Sequence, residues 1–151
     1  MSRTVEGRFQ DRFLAALRGQ GILCQKFNDE FSEGIPDIFA ALPQDRLTAQ
    51  LQGVLPDAAW IELKAIEEWP VRPETPLPAN KRLRPGQVTF GKVWNFNPHP
   101  VVCVLGAPEG WLLVPQRDFA LLDGPASALR AMMRKEPISY ARMFRDWRTW
   151  R

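Results

Sequence analysis

The sequence predicts a mixed α/β fold of the α+β kind, a central sheet of mixed strand directions flanked by helices. Three observations lead there. The elements run helix, strands, helix, strands, helices, so strands and helices do not alternate strictly as in a doubly wound parallel sheet. Two strand-like runs, Val101–Leu105 and Trp111–Val114, are joined by Gly106-Ala107-Pro108-Glu109-Gly110, the signature of an antiparallel hairpin. The apolar runs Ile35–Leu42 and Trp60–Ala65 read as buried strands even though charged residues interrupt both. With 151 residues, 45% hydrophobic and 25% charged, one domain over 1–151 is expected rather than two. Its core is expected over about 5–115 and a basic helical extension over about 116–151.

Taken in order, Val5–Arg18 is an amphipathic helix, because Val5, Phe9, Phe13, Leu14, Ala16 and Leu17 fall in one apolar arc. Glu6 lies inside that arc with Gln10 beside it. A carboxylate facing a core is costly unless it is paired, bonded or metal-bound; at a frayed first turn, water and the helix dipole tolerate it. Gly19-Gln20-Gly21 ends the helix. Ile22–Phe27 reads as a short strand, and 28–34 as a polar loop holding Glu30 and Glu33. Pro36 suits the start of the Ile35–Leu42 strand, on which Asp37 shares a face with Phe39 and Ala41. Residues 43–58 read as a surface excursion, with a short helix over 46–52.

In the Trp60–Ala65 strand, Glu62 and Lys64 stand two apart and share a face with Trp60, while Ile61, Leu63 and Ala65 point the other way. That pattern implies one dry face and one charged face. Pro70, Pro73, Pro76 and Pro78 mark residues 67–84 as an extended loop whose charge changes sign, from Glu67 and Glu68 to Lys81, Arg82 and Arg84. Pro85 then opens a helix to Trp94, with Gln87, Phe90 and Trp94 on one side. After the hairpin, helical stretches are expected near Ala126–Arg134 and Ser139–Trp150.

No apolar run approaches the length that crosses a bilayer, and the first residues lack a signal-peptide core. Cys24 and Cys103 are too few for a disulfide framework and read as reduced thiols, which makes the cytoplasm the expected compartment. The net charge of +3 is unevenly spread: residues 130–151 carry seven basic residues against two acidic ones, and the other 129 residues are slightly acidic. A basic end on an acidic body suits an anionic polymer, although a solvated helix face has the same composition.

If Asp37, Glu62 and Lys64 meet at one end of adjacent strands, the two carboxylates repel and one takes up a proton. A divalent cation relieves that repulsion. Mg²⁺ accepts one or two carboxylates, keeps several waters and takes phosphate oxygens, and the Leu63 backbone carbonyl lies between the two side chains as a further ligand. Lys64 could then orient a water made more acidic by the ion, or balance charge developing on phosphorus. Glu6 would supply a carboxylate to the same site or to a second metal. Taken alone, a Glu62–Lys64 pair is also what an exposed structural ion pair looks like. His99, in Asn97-Pro98-His99-Pro100, reads as a turn residue, and Cys103 as core packing. Trp147 and Trp150 lie among Arg145, Arg148 and Arg151, which suits base stacking with phosphate contacts; helical spacing with Met143 and Phe144 favours packing for Trp147.

Gly34-Ile35-Pro36-Asp37 followed by Trp60-Ile61-Glu62-Leu63-Lys64 resembles the PD-(D/E)xK nuclease superfamily, in particular its VRR-NUC-type and phage or Holliday-junction-resolvase-like branches. Glu6 matches the first-helix Glu of that family, and Arg84-Pro85-Gly86-Gln87 matches the Gln-bearing helix after the ExK strand. The resemblance covers about residues 6–115, with long excursions before Glu62 and after Lys64. It implies a restriction-endonuclease-like core of αβββαβ order and a metal-dependent endonuclease of bacterial or phage type acting on DNA, with branched or structured DNA among the expected substrates. Asp37, Glu62, Lys64, Glu6 and Gln87 would be its catalytic residues; Asp37, Glu62, Glu6 and the Leu63 carbonyl would hold Mg²⁺ or Mn²⁺. Lys81, Arg82, Arg84, Lys92, Arg145 and Arg148 are the expected DNA contacts. No organic cofactor or membrane is implied, and a homodimer is left open. The alternative is a nuclease-fold DNA-binding or scaffold module without turnover.

Overall fold

The computed structural model describes residues 4–27, 34–43, 51, 53–95 and 99–150. The expected polar loop with Glu30 and Glu33 and the expected short helix over 46–52 lie outside the described residues, save for the flanking Gly34 and Leu51. Helix α1 (Val5–Gly19) is capped by the Thr4 hydroxyl, which accepts from the Gly7 N–H. Strands β1 (Leu23–Lys26), β2 (Ile38–Ala41) and β3 (Ala58–Ala65) follow, then α2 (Pro85–Trp94) and the hairpin β4 (Val101–Ala107) and β5 (Gly110–Pro115). The five strands lie in sequence order, all antiparallel except β3 and β4, which run parallel with α2 as their crossover. The mixed sheet flanked by helices is therefore observed, in the αβββαβ order expected.

Both faces of the sheet are covered. On one, α1 lays Phe9, Phe13, Leu14 and Leu17 over Ile38, Ala40, Ile61, Leu63 and Val104. Gly106 permits this approach, since a Cβ there would lie 2.6 Å from the Phe9 ring. On the other face, Cys103, Leu105 and Leu112 pack with Phe119, Leu122 and Leu129. Burial on both faces removes the alternative of an exposed structural Glu62–Lys64 pair: Glu62 is 4% exposed and Lys64 6%. The strand is central in the sheet, so α2 and the loop before it cover what a two-layer reading leaves open.

The segment after β5 departs from the expected long helices. It is a 3-10 stretch (Gln116–Asp123) and two short helices, α3 (Ala126–Ala131) and α4 (Tyr140–Met143), ending in a turn at Trp147–Thr149. Arg134 leaves the helix because its backbone pairs with Trp111. Side chains from this segment enter both clusters, with Tyr140, Met143, Phe144 and Trp147 on the α1 side. The Tyr140 hydroxyl donates to the Pro56 carbonyl at 2.8 Å and the Trp147 indole to Val54 at 2.9 Å, so each buried polar tip has a partner. Trp147 packs, as its spacing with Met143 implied. Among the described residues no helix is long and apolar enough to cross a membrane.

Candidate active site

Strand β2 is half the length of β3, and its register begins at Ile38 opposite Ile61. From Glu62 onward, β3 is paired with β4 alone. The expected Ile35–Leu42 strand is thus shorter than its apolar run, and Asp37 sits in the bend just before it. That shortfall makes the site. The Leu63 N–H, which a longer β2 would have claimed, donates to Asp37 Oδ2 at 2.8 Å instead. In a strand, the N–H and C=O of one residue point to the same side, so the Leu63 carbonyl is directed toward the Asp37 side as well. Asp37 is held from behind by the Phe27 N–H, which donates to its carbonyl at 2.8 Å. The turn before it is set by Gly34, in the left-handed region at φ 98° and pressed against α2: a Cβ there would meet the Gly86 carbonyl oxygen at 2.5 Å. The glycines of Gly34-Ile35-Pro36-Asp37 and Arg84-Pro85-Gly86-Gln87 therefore touch, which locks the Asp37 turn to the start of α2.

Glu62 is reached from α2. Gln87 sits at the third position of the helix, where its Oε1 accepts from the Arg84 N–H at 2.8 Å, one half of a capping box. The same amide donates through Nε2 to Glu62 Oε1 at 2.5 Å, and Gln87 is only 5% exposed. Lys64 Nζ approaches the same Glu62 oxygen at 3.3 Å. Glu62 Oε2, in contrast, is buried with no hydrogen-bond partner. Burial first, and the neighbouring Asp37 charge second, push the Glu62 carboxyl up to about 8. Burial also raises Asp37, against the pull of the Leu63 N–H and Lys64.

Glu6 reaches the same place from the first turn of α1, half-buried, with Oε1 3.9 Å from Lys64 Nζ and Oε2 3.3 Å from Lys81 Nζ. Of the two readings of Glu6, a frayed, water-facing carboxylate and a paired one, the structure has the paired one. Lys81 closes a 3-10 turn (Ala79–Lys81) in the proline-rich loop. That loop is less extended than its prolines suggest, because Leu77 is buried to 1% and the Ala126 and Ser127 N–H groups donate to Thr75 and Pro73.

The structure thus brings Glu6, Asp37, Glu62, Lys64 and Gln87 together. Of the expected DNA contacts, Arg82 pairs with Asp123 at 3.6 Å, Arg84 stands exposed at the start of α2 and Lys92 is exposed on that helix. Arg145 and Arg148 are exposed in the segment that packs on the α1 side, Arg148 lying near Gly53. His99 lies edge-on to Phe39, and Cys103 is fully buried, its thiol pushed up by burial. What the sequence hid is the Lys81–Glu6 pair, since the two residues are 75 positions apart and no local period links them.

The donors fit a hard divalent cation. All are oxygens, one of them is buried and unpartnered, and two like charges press on each other. Among the described residues no group of three or more His, Cys, Asp or Glu side chains could hold a metal. Two carboxylates with a carbonyl suit Mg²⁺ or Mn²⁺, which keep waters and take substrate oxygens, better than an ion needing a full protein cage.

No protein-family model matches the chain, and the comparison with curated proteins finds no match. Among solved structures, it is similar to Hjc, a Holliday junction resolvase from the archaeal hyperthermophile Archaeoglobus fulgidus. The TM-score is 0.44 at 21% sequence identity, over 73% of this chain and 75% of that one.

Proposed function

We propose that the chain is a metal-dependent nuclease of the PD-(D/E)xK type that hydrolyses phosphodiester bonds in DNA. One observation carries this reading. Two carboxylates converge where β2 stops short, each with one oxygen tied down by a neutral donor, and Glu62 Oε2 is buried and free while Lys64 stands at the other Glu62 oxygen. A buried polar atom without a partner costs stability, so an arrangement that keeps one has a use for it.

Asp37, Glu62 and the Leu63 carbonyl would hold one Mg²⁺ or Mn²⁺, which would neutralise phosphate charge and make a nearby water more acidic. Gln87 fixes the Glu62 carboxylate from the side away from that oxygen, and the Leu63 N–H fixes Asp37. Lys64, on the same face of β3, carries its charge to the place where a phosphate oxygen or attacking water would sit. The sequence resemblance to PD-(D/E)xK nucleases agrees with these roles, and the resolvase-like branch of that resemblance makes branched DNA the first substrate to try.

The test is cleavage of labelled duplex and four-way DNA with Mg²⁺ or Mn²⁺ and with EDTA. Metal-dependent cleavage that Asp37→Asn lowers by about 100-fold or more is expected. Undiminished cleavage by Asp37→Asn would overturn the assignment. Salt-sensitive DNA binding with no cleavage by the parent would instead favour the binding module.

A further inference from the structure

Glu6 differs from the other two carboxylates in what holds it. Asp37 and Glu62 each accept from a neutral N–H, Glu62 with Lys64 at 3.3 Å besides, whereas each Glu6 oxygen faces an ammonium group, Lys64 at 3.9 Å and Lys81 at 3.3 Å. Lys81 is no loosely tethered surface cation. Its N–H donates to Pro78 at 2.8 Å, Leu77 plugs the preceding chain into the core, and Arg82 beside it is paired to Asp123. The backbone that carries Lys81 is therefore fixed by the fold, which lessens the entropy lost in holding its ammonium at Glu6.

We propose that Lys81 is a built-in cation of the site. Its ammonium occupies the position beside Glu6 that a second divalent ion would need, so the site takes one metal and Glu6 serves as a strut between two lysines. This rests on the reading of Asp37 and Glu62 as the metal pair. Charge supports it. Once an ion has displaced the Glu62 proton, three carboxylates against two ammoniums leave one negative charge; one divalent ion makes that a single positive charge, which a phosphodiester monoanion cancels. Two divalent ions with both lysines in place would leave three positive charges. Geometry agrees, because a Mg²⁺ bound to a Glu6 oxygen at about 2 Å would stand against the Lys81 ammonium, where like charges repel strongly. Lys81 acts through Glu6 and is a positioning residue.

The experiment is calorimetric titration of the full chain with Mn²⁺ in the absence of DNA. The parent is expected to bind one Mn²⁺ per chain and Lys81→Met two, with the second site lost again in Lys81→Met/Glu6→Gln. Lys81→Arg, which keeps the charge, should restore the single site, a rescue that a merely structural lysine would not show. Two sites in the parent, or one in Lys81→Met, would overturn the proposal and leave the Asp37–Glu62 reading standing. No Mn²⁺ bound by the parent would remove that reading, and this one with it.

Discussion

The two halves of the candidate site are built on different principles. In the strand half, Asp37 and Glu62 each accept from a neutral donor, they share one ammonium, Lys64, at 3.3 Å from Glu62, and Glu62 is almost wholly buried. The helix–loop half, Glu6 and Lys81, is partly exposed, and Glu6 is held between two ammonium groups, Lys81 and Lys64. Neutral donors fix a carboxylate without cancelling it, so the strand half, with two carboxyl groups to one ammonium, has negative charge to offer an ion. Opposite charges fix and cancel together, so the helix–loop half contributes shape and charge balance. Three acidic residues that look equivalent in the chain thus come to differ in kind.

The largest effect that would sharpen this contrast is at Glu62. Glu62→Gln should lower cleavage by about 100-fold or more while raising the stability of the metal-free protein. The sign follows from the raised carboxyl. Its stabilising contribution is fully present below about pH 4.5, the unfolded value, and is lost as pH rises through about 8 in the folded protein. The urea midpoint of the metal-free parent should therefore fall across that window, and Glu62→Gln should flatten this part of the profile. Equal pH profiles for parent and variant would mean that Glu62 is not buried as an acid.

Gln87 comes next. Gln87→Ala leaves Glu62 Oε1 with Lys64 as its remaining donor, and Mn²⁺ affinity measured by calorimetry should weaken by about 10- to 100-fold. The helix–loop half breaks differently, through packing. Leu77→Ala empties a fully buried site beneath the proline-rich loop and should cost about 2–5 kcal/mol in denaturant unfolding, an unusual sum for a loop residue. A cost under about 0.5 kcal/mol, as at an ordinary surface position, would mean that the loop is not anchored there.

The smallest effect is expected from the basic end. Arg145→Gln with Arg148→Gln removes two exposed charges from the segment on the α1 side. The salt dependence of DNA binding, in log–log slope, should drop by about one per lost phosphate contact, with turnover at saturating DNA unchanged. A fall in turnover instead would place these arginines at the reacting phosphate.

Much of this was legible in the chain. Alternation along β3, the proline opening α2 and the glycine-bounded hairpin are local signals, and α2 and the β4–β5 hairpin were found where those signals put them. The convergence of Asp37, Glu62 and Gln87 was legible through their motif context, and Glu6 through its place on an apolar arc. The fate of the basic residues was not. Lys81, Arg82, Arg145 and Arg148 are alike as charges in a string, yet Lys81 is tied to Glu6 and Arg82 to Asp123. The segment after β5 was also misread, because apolar residues at helical spacing pack equally well from short turns when indole and phenol groups tie them to distant carbonyls.

By itself, then, the sequence determined which residues alternate, which turns form and which side chains bring chemistry, all of which depend on neighbours a few positions apart. Only the tertiary structure decided that β2 ends four residues into its pairing with β3. It also decided that the exposed-looking face of β3 lies under α2, and that one lysine 75 positions from Glu6 neutralises it. Those outcomes depend on which elements pack together, and a burial or an ion pair made across the fold leaves no period in the chain.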